Sequence, residues 1–297
     1  MKTYPFMQVD AFTKRPLIGN PCAVFFEADD LSAETMQAVA CEMNLSESAF
    51  VMQSQIADFR ARYFTPAEEI PLAGHPTIAT TFALVESGCL PLTGDKTTFT
   101  LELQVGPIPI EILSENGRIS QIIMTQKKPQ FLNIVDSEIA TSVFDLTPDD
   151  LIPNKPVQVV STGTPQLMVP VKDLDVLRRM QLNAPAYMAL REKAHFFSPH
   201  IFCLQGVTEA GDTFARHGGV APDVIEDPFT GSATGGMAAY LWHYNLLDKP
   251  TFVAEQGHWM GRPGQAFVEI VGPRDDIETI KVGGTAVAVL KGELMLP

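Results

Sequence analysis

Basic residues are scarce in this chain of 297 residues: 21 Lys and Arg stand against 35 Asp and Glu, a formal net charge of -14, and no stretch is rich in Lys or Arg. Nucleic acids and anionic membrane surfaces are gripped by clustered positive charge, so neither is an expected partner. No segment is apolar enough for long enough to cross a bilayer, and Met1-Lys2-Thr3-Tyr4-Pro5-Phe6 lacks the apolar run of a signal peptide. A cytoplasmic protein is expected. The four cysteines, Cys22, Cys41, Cys89 and Cys203, are widely spaced with no Cys-x-x-Cys pair, which argues against a zinc site or a redox motif. They are expected to be reduced core thiols. His195, His200, His243 and His258 show no His-Glu-x-x-His spacing, so no catalytic metal is expected. Gly231-Ser232-Ala233-Thr234-Gly235 lacks the Gly-Lys-Ser/Thr ending of a phosphate loop, and Gly-x-Ser-x-Gly does not occur in a strand-to-helix context. Neither a nucleotide site nor a serine hydrolase is indicated.

What remains is a globular composition, 45% hydrophobic and 19% charged, on a chain long enough for two domains. Strand-like runs at Gln8–Phe12 and Ala23–Phe26 flank Gly19-Asn20-Pro21. A helix is expected over Ser32–Met43, with Ser32 as N-cap and Met36, Val39, Ala40 and Met43 as its apolar stripe. It stops near Asn44, and a strand begins in Ser46–Val51, which places Glu47 at a helix-to-strand junction. After a strand at Phe59–Phe64, Pro71-Leu72-Ala73-Gly74 opens a second helix with Pro76 in its first turn, Ile78, Phe82 and Val85 on its buried face, and Gly88 at its end. Thr97 to Met124 reads as strand, turn, strand around Glu115-Asn116-Gly117. The second half repeats this plan: Val157–Val160, Thr162-Gly163-Thr164-Pro165 and Leu167–Val171 come first. A turn at Thr230-Gly231-Ser232 then opens a helix carrying Met237, Tyr240, Leu241, Tyr244 and Leu247 on one face.

The two glycine turns, at Gly74 and Gly231, matter most. A helix start leaves its first backbone N–H groups unpaired, so two of them facing one cleft would hold a small anion without a cofactor. Glu47, His75 and Asp227 lie in or near these turns. A shielded carboxyl at Glu47 could serve as general acid/base, His75 could donate to a substrate oxygen, and Asp227 could orient an amine or hydroxyl. Each also has a plain structural reading: a solvated helix-end carboxylate, a helix cap, and an Asx-turn before Pro228.

Taken together, Asp10-Ala11-Phe12-Thr13, Gly19-Asn20-Pro21, Leu45–Phe50, Arg62–Pro66, Pro71–Thr77, Glu226-Asp227-Pro228 with Thr230–Ala233, and Met260–Pro263 resemble the phenazine biosynthesis PhzF-like family, in the family's order and over nearly the whole chain. The resemblance implies an α+β, diaminopimelate epimerase-like fold of two pseudo-symmetric domains, each a curved sheet around a central helix. The domains would span residues 1–126, completed by a C-terminal strand at 284–297, and residues 127–283. It implies a homodimer and a cofactor-independent isomerase acting on a small carboxylate substrate, as in isomerisation of trans-2,3-dihydro-3-hydroxyanthranilate. Glu47 would move a proton between carbons, while positions matching Gly74, His75, Asp227, Gly231 and Ser232 would serve the substrate. Related epimerases invert a stereocentre with one cysteine at each glycine turn; here His75 and Ser232 stand there, which favours a same-face proton shift. The chain departs from the family pattern at Arg216-His217-Gly218-Gly219-Val220-Ala221-Pro222-Asp223, beside the expected cleft, and at Cys22 and Phe229.

Overall fold

The computed structural model describes residues 1–219 and 225–296, so the part of the variant segment at Val220–Asp223 lies outside the described residues. Strands β1 (Lys2–Ala11), β2 (Asn20–Phe25), β3 (Glu47–Met52) and β4 (Phe59–Phe64) open the chain. The helices are α1 (Ala33–Met43), α2 (Gly74–Glu86), α3 (Ser137–Ser142), α4 (Leu174–Arg179), α5 (Ala184–Ala194) and α6 (Gly231–His243). Ser32 caps α1 by accepting from the Thr35 amide, and Asn44 ends it in the left-handed conformation at φ 50°.

The pairing of strands makes the internal repeat explicit. In the first half α1 links the parallel pair β2 and β3, and α2 links β4 to its parallel neighbour Lys96–Leu103. In the second half α4 and α5 link the parallel strands Pro165–Pro170 and Ser198–Cys203, and α6 links Thr213–His217 to Thr251–Gln256. Both crossovers recur in the same order, because parallel neighbours need a long connection and a helix supplies it. The last strand, Ala286–Leu296, returns to pair antiparallel with β1 from Lys2↔Leu296 to Ala11↔Ala286. Thr279–Gly284 pairs with Arg118–Thr125, so the hydrogen-bonded network runs from one half into the other.

Three expectations need correction. The central helices are not one-sided: Gly74–Thr81, Ala83 and Leu84 are buried, whereas Phe82 and Val85 are only partly so. A helix wrapped by sheet is buried all round, so the stripe rule for surface helices does not apply. For the same reason α6 buries ten of its residues, and it ends at His243, with Tyr244 as its cap and Leu247 beyond it. Thr97–Met124 holds an additional hairpin between Lys96–Leu103 and Gly106–Glu115 before the expected turn at Asn116-Gly117. Finally, Cys22 and Cys203 are buried thiols, but Cys41 and Cys89 are exposed.

Candidate active site

The N-termini of α2 and α6 meet head to head. A Cβ placed on Gly74 would lie 2.7 Å from Gly231 Cα and 2.8 Å from the Ser232 nitrogen; one on Gly231 would lie 2.9 Å from Phe12 Cζ. Only glycine permits this approach of backbone to backbone. Neither helix has a side-chain cap: Ala73 has no acceptor, and Thr230 turns its hydroxyl to Asp227 Oδ2 instead. Two positive dipole ends therefore face one point, with first-turn N–H groups left over.

Glu47, His75 and Asp227 gather there through Asn20. The Asn20 amide nitrogen lies 2.8 Å from Asp227 Oδ1, 2.8 Å from the Phe229 carbonyl and 3.0 Å from His75 Nδ1. It has two hydrogens for three neighbours, and the two oxygens can only accept. His75 Nδ1 thus carries its own proton towards Glu47 Oε2, 3.0 Å away. Burial alone would lower the His75 pKa, but the Glu47 charge and hydrogen bond, then Asp227 and the Pro21 carbonyl, raise it above its ordinary value. Asp227 is set by its neighbours: Arg216 grips both Glu226 oxygens at 2.9 and 2.6 Å, and the Asp227 amide donates to the His217 carbonyl at 3.0 Å.

A cavity of about 400 Å³ opens beside this cluster, with Glu47 and Ala73 lining it from the first half and Asp227, Thr230 and Ser232 from the second. Of the six residues expected from the sequence, Glu47, Asp227 and Ser232 thus line the cavity. Gly74 and Gly231 form the contact between the helix starts, and His75, 2% exposed, sits behind Glu47 outside the cavity lining. Sequence reasoning missed Asn20 as a site residue. Its signal was the Gly19-Asn20-Pro21 turn, where Gly19 takes φ +70° and a Cβ would strike the Ala11 carbonyl at 2.3 Å. Arg262 fastens that turn from the second half, donating to the Gly19 carbonyl and to Asp10 Oδ1 at 2.8 and 2.7 Å.

Glu47, His75 and Asp227 offer donor atoms within 4.8 Å of one another, near enough to share a cation. Those atoms are already engaged with one another and with Asn20 N–H groups, an arrangement that handles protons. Cys22 lies across from Glu47 in the β2–β3 register, but burial and then the Glu47 charge push its thiol well up, so it stays protonated.

Convergent helix starts beside a buried carboxylate cluster, inside an α+β fold with an internal repeat of its crossovers, place the chain in the diaminopimelate epimerase-like fold class. That fold is shared, at 11% identity, by a solved hydroxyproline epimerase (TM-score 0.69). The chain belongs to the phenazine biosynthesis-like protein family, whose model matches residues 9–292, and it is an isomerase. It is similar to a Bacillus anthracis phenazine biosynthesis protein of the PhzF family, with 35% identity over 100% of both chains and a TM-score of 0.88. It is 33% identical to an uncharacterized isomerase of Clostridium acetobutylicum, over 100% of this chain and 99% of that protein. Equal identity, 33%, links it to the trans-2,3-dihydro-3-hydroxyanthranilate isomerase of Pseudomonas fluorescens, over 98% and 99% of the two chains.

Proposed function

We propose that the chain isomerises a small carboxylate-bearing substrate without a cofactor, through a single acid/base, Glu47. The substrate carboxylate accepts from the uncapped helix starts at Gly231-Ser232 and Gly74. Glu47 removes a proton from one carbon and becomes a carboxylic acid. The electron pair shifts through the adjoining π system, and Glu47 returns the proton to another carbon on the same face. His75 and Asn20 hold Glu47 and Asp227 in place, and Asp227 orients an amine or hydroxyl. The observation that carries this reading is a cavity-lining Glu47, backed by His75 at 3.0 Å, beside two uncapped helix N-termini. The name of the Pseudomonas fluorescens relative adds a substrate class, an amino- and hydroxy-substituted ring carboxylate.

An epimerase needs a second base on the opposite face. Among the described residues no cysteine lines the cavity, and the nearby Cys22 thiol is held protonated. The direct test is turnover of trans-2,3-dihydro-3-hydroxyanthranilate in D2O followed by NMR. Isomerised product carrying solvent deuterium at the new C–H position is expected; binding with neither turnover nor wash-in would make the protein a small-acid binder instead. A homodimer is part of the proposal, and sedimentation equilibrium tests it.

A further inference from the structure

The second half presents a polar wall that the Glu47 chemistry leaves unused. Gln166 and Ser198 are register partners on parallel strands, and both line the cavity with His217. Ser198 Oγ lies 2.8 Å from Gln166 Oε1 and 2.6 Å from His217 Nε2, and His217 Nδ1 lies 3.2 Å from His200 Nδ1. None of the four is more than 5% exposed. Burial holds both rings neutral, His217 down at about 4 against the pull of Asp227 and Glu226, and His200 well below its ordinary value.

Neutrality fixes the direction of the chain. Each ring has one N–H, and the single Ser198 hydrogen goes to Gln166 Oε1. Ser198 therefore accepts from His217 Nε2, and His217 Nδ1 accepts from His200 Nδ1. His200 Nε2 is left as a bare lone pair, with no partner among the described residues. The reversed chain would turn Gln166 around and bury an N–H there, a costlier orphan than a lone pair. With Oε1 held by Ser198, the Gln166 amide N–H2 takes no part in the chain and remains to donate at the cavity.

We propose that Gln166 is a specificity-determining residue whose amide N–H2 binds a second acceptor oxygen of the substrate, a carbonyl or carboxylate oxygen remote from the carboxylate at the helix ends. Ser198 and His217 are positioning residues that fix its orientation. The inference rests on the reading of the cavity as a small-carboxylate site.

Calorimetric binding of pentanoate and of glutaramate, which replaces the terminal methyl of pentanoate by a neutral carboxamide, tests it. The neutral probe avoids the charge of Arg191, a cation that also lines the cavity. Glutaramate should bind about 3- to 10-fold more tightly than pentanoate, the worth of one net hydrogen bond. Gln166→Leu should erase that gap and leave pentanoate binding unchanged. Ser198→Ala should narrow it, also without weakening pentanoate, a ligand-selective loss that general loosening does not produce. In ¹⁵N-histidine protein, glutaramate but not pentanoate should move the His217 Nε2 resonance. Equal affinities in the wild type, or a gap that survives Gln166→Leu, overturn the subsite alone. Failure of both probes to bind overturns the helix-end anchor and the subsite with it. Should Gln166→Leu not fold, Ser198→Ala decides by the same criterion.

Discussion

The outer and the central helices of this molecule begin in opposite ways. α1, α3, α4 and α5 each open on a residue whose own side chain accepts from the first turn: Ser32, Asp136, Asp173 and Asn183. The central pair, α2 and α6, open on Ala73 and Thr230 with no such bond. A buried helix start without a cap is a defect in a purely structural element, because its N–H groups lose water and gain nothing. Where two such starts abut, the defect becomes a binding surface for an anion. The central pair also differ from each other. α2 gives up one N–H to Pro76 and commits His75 to Glu47, whereas α6 places Ser232 at the cavity. In the proposed mechanism, the first end serves proton transfer and the second serves binding.

The largest effect is expected at Glu47. Glu47→Gln keeps shape and hydrogen bonding but removes the exchangeable proton, so kcat should fall about 10²–10⁴-fold while ligand affinity holds. Near-normal turnover would remove Glu47 from the mechanism.

The two central clusters should also respond to pH with opposite sign. His217 has its pKa lowered from 6.5 to about 4, so its contribution is complete above pH 6.5 and is lost as pH falls towards 4. The loss is on the order of 3 kcal/mol, at 1.36 kcal/mol per unit. Chemical denaturation from pH 7 to 4 should show this fall in the wild type and a shallower one in His217→Gln. His75 is raised instead, so its contribution is complete below pH 6.5 and fades as pH rises through the folded value. Denaturation curves between pH 6 and 9 should therefore flatten in His75→Gln, and an unchanged slope would count against the His75–Glu47 pair.

Substitutions at the helix starts sharpen the contrast. Gly74→Ala places a Cβ 2.7 Å from Gly231 backbone, which cannot yield as a flexible side chain would. It should cost about 1–3 kcal/mol of stability together with activity. Ser32→Ala at the outer α1 should cost about 1 kcal/mol with kcat unchanged. Thermal melts and turnover on the same samples check both; equal loss of activity at the two sites would erase the distinction. The smallest effect belongs to chelators and to joint replacement of Cys22, Cys41, Cys89 and Cys203 by Ser or Ala. Both should leave proton transfer intact in folded protein, and loss of turnover with binding retained would favour thiol chemistry.

Local signals in the sequence were reliable where the physics is local. Ser32 and Asn44 bound α1 as their chemistry demands, Asn116-Gly117 makes its turn, and Glu47 stands at its junction. The glycine turns were visible too, because backbone contact leaves no room for a side chain. Asn20 was not legible as a site residue: its partners lie 55, 207 and 209 residues away, and the flanking Gly19 and Pro21 mark a turn without saying what its asparagine touches. Burial of the threonine side of α2 was equally hidden, since Thr77, Thr80 and Thr81 are polar side chains that only the surrounding sheet removes from water. Thr77 and Thr81 return their hydroxyls to the helix carbonyls at Ala73 and Thr77, which makes that burial tolerable.

In the proposed mechanism one carboxylate carries the proton from carbon to carbon. The most direct measurement uses a substrate deuterated at the carbon that loses its proton, turned over in ordinary water, with the product analysed for label at the carbon that gains one. The wild type should deliver a measurable part of the label to the same face, and Glu47→Gln should deliver none. Label transfer undiminished in Glu47→Gln, or delivery to the opposite face, would contradict that mechanism.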